Sequence, residues 1–261
     1  MINLPKIQMA IFLGFIALGA IFFSGQNGAF LSVILAVGTT FIADYCFIRL
    51  RKIQPFVLSA ALVSGLIIGL LAYPLLPWYY LVSVCLLAMA SKNFLKMNNR
   101  HVFNPAAFGL VVGGLIFSQN VSWWGVIFQS LKLNPLSIFL FILILVPGYI
   151  SIFRMRRGRL IVSFLIIFTL TEILLRFNSA DTPKVVFSTL LSPLVLFFSM
   201  VMLPEPMTSP NNRRLQIFFG AFVGILAAFF NFFPFFFLPD TLLVSLLVGN
   251  LVFYWLRQKY P

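Results

Sequence analysis

The sequence predicts an all-α polytopic membrane protein, on three observations: its hydrophobic fraction, the recurrence of helix-length apolar runs, and a one-sided distribution of basic residues. Of 261 residues, 61% are hydrophobic and 9% charged, against roughly 25% charged in an average soluble domain. A soluble fold has too little interior to hide that much apolar surface. Runs of about 17 to 21 apolar residues recur, the length a helix needs to cross a hydrocarbon core of about 30 Å. Ten segments can be drawn, at about 7–23, 28–48, 56–73, 77–91, 105–118, 136–153, 160–177, 185–203, 216–233 and 241–256. The first follows Lys6 and is too long for a signal-peptide core, so it reads as a transmembrane helix.

The net charge is +13. The basic residues stand in short clusters between apolar runs and not along one face, which excludes nucleic acid as a partner and marks them as topology determinants. With Lys6 inside, the cytoplasmic connections hold Arg49/Arg51/Lys52, Lys92/Lys96/Arg100, Arg154/Arg156/Arg157/Arg159, Arg213/Arg214 and Arg257/Lys259, leaving only Lys132, Arg176 and Lys184 outside. Both termini are therefore expected in the cytoplasm. The outer connections "YPLLPWYY", "NVSWWG" and "FFPFFFLPD" carry aromatic residues suited to anchoring helices at the interface. The chain reads as a single membrane domain, 1–261. Five spans in each half (about 1–130 and 131–261) would place the halves in opposite orientation, as in inverted-repeat transporters.

Two cytoplasmic connections interrupt this apolar chain with proline and polar residues. In "SKNFLKMNNRHVFNPAAFGLVVGG", Asn104 suits an N-cap and Pro105 the first helical position, before only about 14 apolar residues. A short or re-entrant helix there leaves N–H groups at membrane depth for an anion or a polar ring edge. In "VMLPEPMTSPNNRRL", Glu205 is expected to cap a second such helix beginning at Pro206, with Thr208, Ser209 and Pro210 as a further turn signal. Ordinary capped loops explain both stretches equally well.

Other candidates are weaker. His101 is the only histidine and lacks the clustered partners of a metal site. Asp44 and Glu172 fall within or near spans, where an ionisable group is a functional candidate, but each lies about a turn from an arginine, Arg49 and Arg176, so local pairing is the plainer reading. Cys46 and Cys85 are far apart in apolar spans and read as packing residues. No nucleophile-elbow, phosphate-loop or paired-cysteine motif occurs.

"HVFNPAAFGLVV" together with "LPEPMTSPNNRRLQIFFGAFVGIL" resembles the NqrB/RnfD family, and its RnfD branch more closely. These are the flavin-bearing membrane subunits of sodium-pumping NADH:quinone reductases and Rnf-type ferredoxin:NAD oxidoreductases. Asn104-Pro105 matches the family's helix start, Glu205-Pro206 and Thr208 its "TDPxT"-like motif with Glu in place of Asp, and Asn212-Arg213 the element that follows. "VLSAALVSGLIIGLLAYPLLPWYY" is similar to the family's third span and outer turn. The resemblance covers roughly residues 54 to 118 and 185 to 258. It implies two inverted five-helix repeats, with short or re-entrant helices after Asn104 and Glu205.

The family also carries FMN covalently, on the threonine of an "SGAT"-type motif between the fifth and sixth spans. The corresponding stretch, "SQNVSWWGVIFQSLKLNP", has no threonine. Covalent FMN is not expected, and Thr182 in "NSADTP" is a poor substitute. The resemblance then implies a noncovalent flavin, riboflavin or FMN, near the two cytoplasmic stretches. Lys92, Arg100, Phe103, Asn104, Pro105, Phe108, Glu205, Thr208 and Asn212 are its candidate ligands. The expected protein is a component of a redox-driven complex in the bacterial plasma (inner) membrane, with soluble reductase or other electron-transport subunits on its basic face and ion coupling left open. The competing expectation is a transporter or channel for a small solute, a flavin among the candidates, on the same scaffold without redox activity; an assembly scaffold is a third.

Overall fold

The computed structural model describes residues 5–52, 58–97, 100–126, 135–177, 192–233 and 237–259. Their secondary structure is helical apart from one small hairpin. The helices are α1 (Pro5–Phe23), α2 (Ala29–Leu50), α3 (Leu58–Leu71), α4 (Trp78–Phe94), α5 (Pro105–Phe117), α6 (Pro135–Tyr149), α7 (Gly158–Leu175), α8 (Pro193–Phe197), α9 (Arg213–Phe232) and α10 (Thr241–Lys259). Each expected apolar segment holds one of them, the eighth only through its part within the described residues. Three are long and apolar enough to cross a bilayer: α2, α7 and α9. They turn large apolar side chains outward, among them Leu31, Ile34 and Ile42 of α2, Leu170 and Leu174 of α7, and Phe218 and Ile225 of α9. In water that surface would be untenable, and against lipid it is solvated. This is a helical integral membrane protein.

Glycine spacing decides how closely the helices pack. On α3, Gly65 and Gly69 face α2. A Cβ on Gly65 would lie 2.8 Å from the Val37 Cα, and one on Gly69 would lie 3.0 Å from the Val33 Cα. On α5, Gly109 and Gly113 face α4, and on α9, Gly220 and Gly224 face α7, with the same absence of room. Three G-x-x-x-G pairs thus set three backbone-to-backbone contacts, the device by which helices associate in lipid without a hydrophobic driving force. At longer range along the chain, α1 packs on α6 and α5 packs on α10.

Two helices end in wide π turns, which break the regular ladder and are frequent at functional sites. Pro147 lies inside α6 and removes a ladder donor shortly before the turn Ile150–Arg154. The other turn, Phe198–Met202, continues α8. They touch: the Ser151 hydroxyl donates to the Met200 carbonyl at 2.6 Å.

The segment 119–126 differs from expectation. Trp123 and Trp124 are not interfacial anchors but buried, Trp123 being 2% exposed. The backbone N–H groups of Ser122 and Trp123 donate to the Leu71 carbonyl and that of Gly125 to Leu70, so the segment caps the C-terminus of α3. Trp124 Nε1 donates to the Gly69 carbonyl at 2.9 Å. Trp123 Nε1 donates to Asp240 Oδ2 at 2.6 Å, while Asp240 Oδ1 accepts from the Leu243 N–H at 2.7 Å and caps α10.

Burial pushes the Asp240 carboxyl up to about 6, against the lowering effect of its bonds from Leu243, Trp123 and Leu242. Between about pH 4 and 6 the folded chain keeps a proton the unfolded chain has released. Stability linked to this group is therefore fully present below about pH 4 and lost as the pH rises through about 6. Thermal unfolding of the wild type should shift downward across that window. Asp240→Asn should remove this component of the slope, whatever it does to absolute stability, and an identical slope in the variant would refute the assignment.

Candidate functional site

Asn104 begins the site, because one side chain joins the two polar stretches. Its Oδ1 accepts from the Ala107 N–H at 3.2 Å, capping α5 with Pro105 at the first position as expected. Its Nδ2 donates to the Met202 carbonyl at 3.2 Å, 98 residues along the chain. That carbonyl lies at the end of the second π turn, where the ladder leaves acceptors open. Ahead of Asn104, residues Lys96–Met97 and Arg100–His101 form an antiparallel hairpin, with Lys96 opposite His101 and Met97 opposite Arg100. The apolar periodicity carries no sign of it. The hairpin carries His101 back to the cleft.

Glu205 does not start a helix. Residues 206–209 form a turn, and the next helix, α9, begins at Arg213 with Asn212 as its cap; the Asn212 Oδ1 accepts from Arg214 N–H at 2.9 Å and Leu215 N–H at 3.3 Å. The Glu205 carbonyl instead gathers the N–H groups of Thr208 and Ser209 and the Ser209 hydroxyl, the last at 2.7 Å. The buried Thr208 hydroxyl lies 3.2 Å from Glu205 Oε2 and orients that carboxylate. A proline on each side of Glu205 stiffens the turn but leaves too few consecutive N–H donors for a helical ladder before Pro210.

Asp44 is not paired with Arg49. Lys92 Nζ donates to Asp44 Oδ2 at 2.6 Å and Asn93 Nδ2 to Asp44 Oδ1 at 2.8 Å, an ion pair between α2 and α4 with 8% and 0% of its side chains exposed. Arg49 turns instead to Tyr45, bonding its hydroxyl at 3.1 Å. Arg51 donates to the Asn93 carbonyl, further tying the end of α2 to α4. Glu172 does pair with Arg176, at 2.7 Å, and also accepts from Asn231 Nδ2 at 2.9 Å, joining α7 to α9.

Around these contacts opens a cleft whose walls come from α1, α3, the end of α4, the hairpin, the start of α5, Met155 just after the first π turn, and the 201–206 segment. Lys92, His101, Asn104, Glu205 and Ser64 supply its polar groups; Met9, Val63, Ile67, Met155 and Val201 supply apolar wall. Of the candidate ligands, Lys92, Asn104, Pro105 and Glu205 line it. Arg100, Phe103, Phe108, Thr208 and Asn212 do not: Phe103 and Phe108 pack on each other with ring centres 5.4 Å apart, Thr208 stands behind Glu205, and Asn212 caps α9. Ser64, Met9 and Met155 lie far from both stretches in sequence, and only the tertiary fold adds them; His101, in the same stretch as Asn104, was weighed only as a metal ligand. Thr182, Lys132 and Lys184 lie outside the described residues.

The cavity measures about 60 Å³. That is well below the usual range for small-molecule sites, about 300–1,000 Å³. It has room for a few waters. A fused tricycle is larger than this cavity and would require its walls to part.

No family model matches the chain. A stretch of 102 residues, 37% of the chain, is 31% identical to the D subunit of the ion-translocating oxidoreductase complex of Yersinia enterocolitica serotype O:8. The same identity over the same length relates it to the corresponding proteins of Yersinia pseudotuberculosis and Yersinia pestis. Part of this chain is similar to an oxidoreductase subunit. The match spans 29% of the length of those relatives.

Proposed function

We propose that the chain is an RnfD-like electron-transfer subunit of a bacterial inner-membrane complex, and that the cleft holds a noncovalent flavin, riboflavin or FMN. One observation carries the reading. The two polar stretches that resemble the NqrB/RnfD family, about a hundred residues apart, converge on one cleft through the Asn104–Met202 bond. The partial likeness to the Yersinia oxidoreductase proteins supports the same reading.

The donor set suits a flavin's pyrimidine edge, which presents both acceptors and an N–H. Lys92 brings a fixed positive charge, pinned by Asp44, to the acceptor side, and Glu205, oriented by Thr208, brings a carboxylate for the N–H. Val63, Ile67 and Val201 keep water from the deeper wall. When bound, the flavin supplies one- and two-electron redox chemistry. By the positive-inside rule the basic end of the molecule faces the cytoplasm, and there it attracts an acidic surface on a soluble reductase partner.

Purification in a mild detergent should give a yellow protein with stoichiometric flavin that bleaches with dithionite. Asn104→Ala should release most of that flavin and cost about 1 kcal/mol of stability through the lost cap. A colourless protein that moves solute into liposomes would overturn the reading in favour of a transporter, and full flavin occupancy in Asn104→Ala would remove the ligand from this cleft.

A further inference from the structure

Beside the cleft lies a second opening, and Met155 stands on the walls of both. It is an open pocket of about 580 Å³ between residues 152–159 and 211–216, lined by Arg156, Arg157, Arg159 and Arg213 with Asn211 and Gln216, and by no carboxylate. Positive-inside topology accounts for arginines that stand apart in water. It does not account for Arg157, which is 3% exposed. Its guanidinium is fastened to the Pro210 carbonyl and, at 2.6 Å, to Asn211 Oδ1, while its Nε–H is buried without a partner. None of the four arginines takes part in the Lys92–Asp44 or the Arg176–Glu172 ion pair.

A buried cation and an unmet donor are both costly unless something anionic offsets them. Burial first, and the nearby charge of Arg100 second, lower the Arg157 guanidinium to about 10, so it remains charged at neutral pH and its cost stands. The N-terminus of α7 adds partial positive charge at the same place.

We propose that this pocket binds a phosphate group, carried by an anionic phospholipid headgroup or by a soluble phosphate compound. Arginine forks match phosphate oxygens in pairs, and basic pockets between membrane helices on the cytoplasmic side are where anionic headgroups are held. A concave pocket with one buried and three exposed arginines suits a compact anion better than a flat acidic surface. The site is independent of flavin binding in the neighbouring cleft.

The test uses the full chain, delipidated in detergent without phosphate. Thermal unfolding is followed against inorganic phosphate with sodium chloride at equal ionic strength as control, and against short-chain phosphatidylglycerol with phosphatidylcholine as control. The comparison protein is Arg159→Gln/Arg213→Gln, whose changed residues are exposed and whose fold is therefore kept; unchanged helix content by circular dichroism checks this. Wild type should be stabilised by at least one of the two phosphate probes over its control, and the variant should bind it about tenfold or more weakly, as expected for lost charge-assisted bonds. A response to phosphatidylglycerol alone assigns the lipid headgroup, and a response to inorganic phosphate assigns the soluble source. Absence of any response beyond the controls overturns the proposal, as does a variant with wild-type affinity.

Discussion

Asp44→Asn should lower the unfolding temperature by on the order of 10 °C. The Asp44 side chain is fully buried and takes bonds from Lys92 and Asn93, so neutralising it strands the Lys92 ammonium, itself 8% exposed, without a counter-charge. Breaking one side of such a pair costs about 3–5 kcal/mol. For a chain of this size each kcal/mol is about 2–4 °C. Lys92→Met should be comparably damaging, since it leaves the carboxylate unpaired in the same wall. The double variant Asp44→Asn/Lys92→Met should regain much of the loss, because no isolated charge remains. Thermal melts of the four proteins form the cycle. If the single variants lose less than about 1 kcal/mol, or the double variant equals the sum of its parts, the pair is not what ties α2 to α4.

Gly220→Ala should destabilise by about 3 kcal/mol or more, from the addition of one methyl group. A Cβ there would lie 2.4 Å from the Leu160 carbonyl oxygen and 3.0 Å from the Phe164 nitrogen, both backbone atoms of α7 that cannot rotate away. Overpacking costs about 1–3 kcal/mol where side chains can yield, and here the helices themselves must part. Gly109→Ala meets the Val84 carbonyl oxygen at 2.4 Å and should behave alike. Gly38→Ala is the control. It lies inside α2 with nothing within 4 Å of its Cβ position, so the better helix propensity of alanine should leave stability unchanged or raise it by about 0.5–1 kcal/mol. Equal effects at positions 38 and 220 would show that close approach does not govern the α7–α9 contact.

Much of the fold was legible because its signals are local. Apolar length announced the helices, and an asparagine followed by proline announced the start of α5. Glu205 misled for an instructive reason: it has the chemistry of a helix-entry residue, but Pro206 and Pro210 permit only a turn, and the cap fell to Asn212. The site was half legible. Lys92, Asn104, Pro105 and Glu205 do meet at one cleft, whereas Phe103, Phe108 and Asn212, chosen for the same stretches, serve packing or capping. Position within a polar stretch says that a residue is near a site, and the turn geometry decides which way it faces.

By itself the sequence determined the helical membrane class, the grouping of basic residues into loops and the places where polar backbone interrupts the apolar chain. These follow from composition and short-range stereochemistry. Only the tertiary structure decided that Asp44 answers Lys92 and not Arg49, that Trp123 turns inward to Asp240, that each glycine pair has a particular partner helix, and that Arg157 is buried among exposed arginines. The physical reason is range. Helix formation is settled within a few residues, but a buried charge takes whichever counter-charge packing delivers, and here that partner is 48 residues away.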